Sequence, residues 1–137
     1  MTPTNDGDMT VRLLRISINA SPAAVYDFAS NPLNLPKWAA GLCTSIEKVG
    51  NEWIGTGQLG RVKIDFAEPN HLGILDHQVT LPSGQRVKVP IRVLPKGNRS
   101  EVLFTLQPMP GMTEAQLAQD AKMVMQDLGA LKKAVEG

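Results

Sequence analysis

From Thr113 to the C-terminus the chain writes one long amphipathic helix, and no other segment restricts the fold as much. Thr113 and Gln116 stand three apart, the spacing of a capping box in which each side chain accepts the other's backbone N–H. Leu117, Ala121, Val124, Leu128, Leu131 and Val135 then recur every three or four residues and form one apolar stripe. About 22 residues at 1.5 Å rise make a rod of roughly 33 Å. A rod that long, apolar on one side, has to lie across a sheet.

The strands that could receive it are present. Val11 to Asn19 alternates, with Leu14, Ile16 and Ile18 on one face and Arg15, Ser17 and Asn19 on the other. Two short helices follow in quick succession. Ser21 and Asn31 are N-cap residues, each followed by a proline at the first helical position. The first helix runs from Pro22 to about Ser30; the second begins at Pro32 and should end by Leu35, because Pro36 disfavours helix before it. From Thr44 the period changes to two. Ile46, the pair Trp53-Ile54, and Val62, Ile64 and Phe66 mark three strands, with turns at Gly50-Asn51 and across Gly55 to Gly60. His71–Leu81, Arg86–Leu94 and Ser100–Gln107 read as three more, separated by Leu81-Pro82-Ser83-Gly84 and Pro95-Lys96-Gly97-Asn98. Such short connections favour an antiparallel meander.

The 137 residues suit one domain, residues 9–137, behind a mobile N-terminal tail, residues 1–8. The tail is polar and acidic, unlike a signal peptide, and no apolar run approaches the roughly 18 residues of a membrane helix. A net charge of +1 makes no electrostatic case for nucleic acid or an anionic membrane. A single cysteine, Cys43, excludes an internal disulfide and makes the cytoplasm the default compartment; with no histidine nearby in sequence it reads as a structural thiol.

The order strand, two short helices, strands and closing helix resembles the helix-grip fold of the START and birch-pollen-allergen superfamily (SRPBCC), and within it the small bacterial members labelled polyketide cyclase/dehydrase-like. Ile18-Asn19-Ala20-Ser21-Pro22, Val25-Tyr26-Asp27-Phe28, Pro36-Lys37-Trp38 and Asp127-Leu128-Gly129-Ala130-Leu131-Lys132 carry the resemblance, which spans roughly residues 9 to 136. It implies an α+β domain in which a curved antiparallel sheet of about six or seven strands wraps around the long C-terminal helix. It also implies a cavity between the two, in which members bind lipids, steroids, hormones or polyketides and some catalyse cyclisation or aromatisation. No catalytic residue of a cyclase maps onto a matching position here. The candidate cavity residues are Trp38, Trp53, Phe66, His77, Val89, Ile91, Phe104, Val124 and Leu128. With aromatic residues at only 4%, the walls should be aliphatic and Met-rich, with Met123 and Met125 near the stripe.

Several patterns imitate other functions. Gly55-Thr56-Gly57-Gln58-Leu59-Gly60 is formally the dinucleotide fingerprint, but an alternating strand follows it where a helix is required, so it reads as a glycine-rich hairpin. It also lacks the catalytic and metal-binding motifs that a kinase would need downstream. His71 and His77 lie about 20 Å apart along a strand, too far to share an ion, so no metal and no cofactor is expected. His77 shares its parity with Leu75, Val79 and Leu81; a buried imidazole there is satisfied by a backbone carbonyl or water, or by a ligand, and it is the only candidate for acid–base work. Trp38 and Trp53 divide between core packing and ligand contact. Arg61, Lys63, Arg86, Lys88 and Arg92 take the outward parity of their strands, without the interleaved aromatics of an RNA-binding face, and read as a solvated surface.

Three functions follow from this reading. The first is a carrier or sensor of a small hydrophobic molecule. The second is a cyclase/dehydratase-type enzyme acting on a polyketide-like or other carbonyl compound, with His77 as general base. The third is a protein-interaction module with a filled core, like the heat-shock-ATPase activator branch of the superfamily. A monomer or homodimer suits each.

Overall fold

The computed structural model describes residues 11–137; the expected tail, residues 1–8, lies outside the described residues. In β1 (Arg12–Ile18) the alternation turns Leu14, Ile16 and Ile18 toward the core and leaves Leu13, Arg15 and Ser17 exposed. Ser21 then starts α1 (Pro22–Ala29), its hydroxyl accepting the Ala24 N–H at 3.2 Å. Asn31 caps the next turn, accepting from the Leu33 N–H at 3.0 Å. Here the helix expected to stop by Leu35 goes on. A 3₁₀ turn (Pro32–Asn34) hands over to α2 (Leu35–Trp38). Pro36 is tolerated because it falls in the first turn of this new helix, where its missing N–H would have had no partner.

Seven further strands follow: β2 (Ser45–Val49), β3 (Glu52–Gly57), β4 (Gly60–Phe66), β5 (His77–Thr80), β6 (Arg86–Val89), β7 (Ile91–Lys96) and β8 (Arg99–Leu106). All pairs are antiparallel, in two ladders ordered β2-β3-β4-β5-β6 and β1-β8-β7. The count is eight rather than six or seven because the expected strand Arg86–Leu94 divides at Pro90. Proline has no N–H to donate to a ladder, so β6 pairs with β5 before it and β7 pairs with β8 after it, while the Pro90 carbonyl accepts from the Thr105 N–H. The chain passes from one ladder to the other without a turn.

The expected strand His71–Leu81 is shortened for a different reason. The Asn70 side chain organises a tight loop, its Oδ1 accepting the Leu72 and Ile74 N–H groups and its Nδ2 donating to the Glu68 and Ile74 carbonyls. Gly73 follows at φ +75°, and a β-carbon there would stand 2.3 Å from the Val93 carbonyl oxygen. Only glycine fits so close to that strand. The Val93 N–H donates to the Gly73 carbonyl and the Leu75 N–H to the Ile91 carbonyl, which ties the loop to β7. Regular pairing with β4 starts only at His77.

The closing helix α3 (Glu114–Glu136) begins at the capping box as expected, with Thr113 Oγ1 accepting the Gln116 N–H and Gln116 Oε1 accepting the Thr113 N–H. Leu128 and Leu131 join Ile18, Val25, Leu35, Ile64, Val79, Ile91 and Val102 in one continuous buried core. The far end is tied to β1: Lys132 Nζ donates to the Ser17 carbonyl at 3.0 Å, and the Asn19 N–H donates to the Glu136 carboxylate at 2.6 Å. The architecture is α+β, an antiparallel sheet assembly holding a long C-terminal helix, with two short helices after the first strand. Among the described residues no helix is long and apolar enough to cross a membrane.

Candidate functional site

Between the middle of α3 and the strands lies a cavity of about 280 Å³. Its strand wall is His77, Val89, Ile91, Phe104 and Leu106, and its helix wall is Asp120, Met123, Val124, Asp127 and Leu128. Trp38 and the following loop, through Leu42, close one side. Gln58 and Leu59, the tip of the β3–β4 hairpin, reach the cavity from another.

Local sequence explains how each wall comes so near. Gly55 and Gly57 lie within the hairpin, as strand residues, and the turn itself is only Gln58-Leu59. A β-carbon at Gly55 would stand 2.9 Å from Cys43 Cβ, and one at Gly57 would stand 3.0 Å from Cys43 Cα. The glycines therefore let the loop after α2 press onto β3, and the Cys43 thiol is fully buried beneath them, its pKa raised by that burial. Gly41 does the same against α3. Its added β-carbon would lie 3.1 Å from Asp127 Oδ2 and 3.3 Å from Met123 Cε.

Of the nine candidate residues, the fold brings seven to this one cavity: Trp38, His77, Val89, Ile91, Phe104, Val124 and Leu128. Phe66 stands next door, lining a recess of about 20 Å³ with Tyr26, Trp38 and His77, its ring centroid 6.0 Å from that of His77. Trp53 stands apart from both, half-buried on β3 with Lys48 Nζ 5.7 Å from its ring centroid. The Tyr26 hydroxyl accepts the Asn70 N–H at 3.0 Å. Met123 lines the cavity, whereas Met125 is exposed.

His77 sits where the main cavity, the small recess and a third, surface depression beside Pro90 all meet. Its Nδ1 lies 3.3 Å from the Leu75 carbonyl, so a backbone acceptor is at hand. Burial lowers its pKa, outweighing the opposing pull of that carbonyl and of Asp76, and the ring is neutral at pH 7. Trp38 is only 4% exposed and its Nε1 is buried without a hydrogen-bond partner.

Three polar residues of the wall were missed at the sequence level, Gln58 at the hairpin tip and two acids on α3. Burial pushes the Asp127 carboxyl up to about 6, against the lowering effect of the Gly41 backbone N–H, and raises Asp120 as well. A signal for the acids existed. Asp120 and Asp127 follow Leu117 and Val124 by three residues each, so they lie within the apolar stripe rather than opposite it. The basic residues of the strands behave as a solvated face: Lys63 pairs with Glu52 and Asp65, and Arg92 with Asp76. Among the described residues no group of three or more His, Cys, Asp or Glu side chains is arranged to hold a metal ion.

No family model matches the sequence, and no curated protein matches it. Solved structures do match the fold. DynU16, from the dynemicin biosynthetic locus, superposes with a TM-score of 0.73 at 13% identity, covering 94% of this chain and 48% of that one. The Aha1 dimer from Colwellia psychrerythraea gives 0.71 at 21% identity, covering 93% and 97%. Ara h 8.0201 gives 0.63 at 12% identity, covering 92% and 97%. Identities this low speak to fold alone, and the shared fold is the helix-grip fold.

Proposed function

We propose that the protein binds a small hydrophobic molecule between the sheet and α3, as a carrier or sensor. The observation that carries this reading is the cavity itself, about 280 Å³ with mostly aliphatic, aromatic and Met walls and a few polar groups. Apolar burial would supply most of the affinity and the polar groups the selectivity. A filled-core interaction module has no use for such a void.

The test uses Trp38 as reporter. Trp53→Phe leaves it the sole tryptophan, and 1-octanol should change its emission saturably. Val124→Phe, which fills the cavity from the helix side, should remove that response while the protein stays folded by circular dichroism. A non-saturating response, or an undiminished one in Val124→Phe, defeats the reading.

The enzyme reading gains one specific observation, the second polar group that His77 alone could not provide. A neutral His77 suits a general base, and a carboxyl titrating at about 6 retains a proton in a minority of molecules at neutral pH, as a general acid requires. Loss of turnover of a carbonyl substrate in His77→Ala, with the fold intact, is the outcome that would favour it.

A further inference from the structure

We propose that the cavity admits apolar molecules whose polar head is a hydroxyl or a protonated amine, and discriminates against those ending in a carboxylate or phosphate. The inference rests on the ligand-binding reading and specifies the ligand class.

Its basis is the charge of the wall. Among the described lining residues the ionisable side chains are His77, Asp120 and Asp127, and none is a lysine or arginine. An anionic head drawn in here would be stripped of water with no cation to meet it, and it would approach two carboxylates. The carboxyls are placed to matter. They lie seven residues apart on α3, about 10 Å along the axis, with Val124 between them on the same wall. A head group lodged against this stretch of helix is within Coulombic reach of both.

A hydroxyl head needs no cation: it can donate to a carboxylate of the wall without adding negative charge. Burial lowers the pKa of His77, so the ring is not a cation that could offset the carboxylates. Because burial raises both carboxyls, the selection is strongest above about pH 6.

Three probes of one chain length separate the alternatives: octylamine, 1-octanol and octanoate, titrated calorimetrically into the full-length protein at low salt and about pH 8, above the Asp127 value of about 6. Octylamine and octanol should bind, with octanoate weaker than octylamine by roughly tenfold or more. In Asp127→Asn the amine-to-carboxylate ratio should shrink several-fold, and raising salt should narrow it in the unmodified protein. Octanoate binding as tightly as octylamine overturns the charge selection, while octanol binding in the same experiment leaves the cavity reading standing. If none of the three binds, both fall together.

Discussion

Two parts of α3 share one helix and one apolar stripe but meet different surroundings. The last turns are an anchor: Leu131 is 0% exposed within the continuous core, and Lys132 and Glu136 reach the backbone of β1 and of Asn19. Lys132 and the Asn19 N–H together hold the Glu136 carboxyl below its ordinary range. The stretch from Asp120 to Leu128 faces the cavity. Val124 is only half-buried, and the two acids sit where the stripe would otherwise be apolar. Stability and binding capacity are thus divided along one element. A cavity forgoes the dispersion contacts that a filled core would make.

The comparison breaks first at Leu131. Leu131→Ala should cost about 3 kcal/mol by urea denaturation, the ordinary effect of truncating a close-packed leucine. A cost below about 1 kcal/mol would mean that these turns do not anchor the helix.

Asp127→Asn probes the cavity-facing stretch through pH. The carboxyl titrates at about 6 in the folded chain against an ordinary 3.8. The folded state therefore holds the proton more tightly, and the stability this contributes is fully present below about 3.8 and lost as pH rises through about 6. At about pH 8 Asp127→Asn should be the more stable protein by about 1 kcal/mol, after discounting for the group's partial solvation. His77 runs the opposite way. Its lowered value favours the folded state above its ordinary 6.5, an advantage that fades as pH falls below that. The difference between the unmodified protein and Asp127→Asn isolates the carboxyl, and a difference that stays level from about pH 4 to 7 would show that burial does not perturb it.

The smallest effect belongs to Val124→Ala. Its side chain already borders empty space, so truncation should cost less than about 1 kcal/mol, well under the Leu131 value. Equal costs at the two positions, measured by the same denaturation, would erase the distinction between the two parts.

Much of this was legible in local pattern. The capping box at Thr113 and Gln116, the caps at Ser21 and Asn31, the alternation in β1 and the glycine-rich hairpin all depend on neighbours a few residues away, and the structure carries each of them. The inward parity of His77, Val89, Ile91 and Phe104 was readable for the same reason. What could not be read was where a parity ends. Phe66 shares the face of His77 yet opens on a different recess, and Trp53 lies farther across the sheet, beside Lys48. Asp120 and Asp127 stand within the stripe at helical spacing, a visible irregularity, but that they border a cavity shows only once the wall opposite them is known.

By itself, then, the sequence determined the kinds of element, their order and the faces they bury, because caps, turn residues and periodicity act within a few bonds of one another. Tertiary structure decided the rest. It broke one strand at Pro90 and shortened another where Gly73 meets Val93, and it left a void beside the middle of α3 rather than its last turns. A void is the volume left over when distant surfaces fail to meet. Its position, and the charge of its wall, depend on how those surfaces curve toward each other, which no local pattern records.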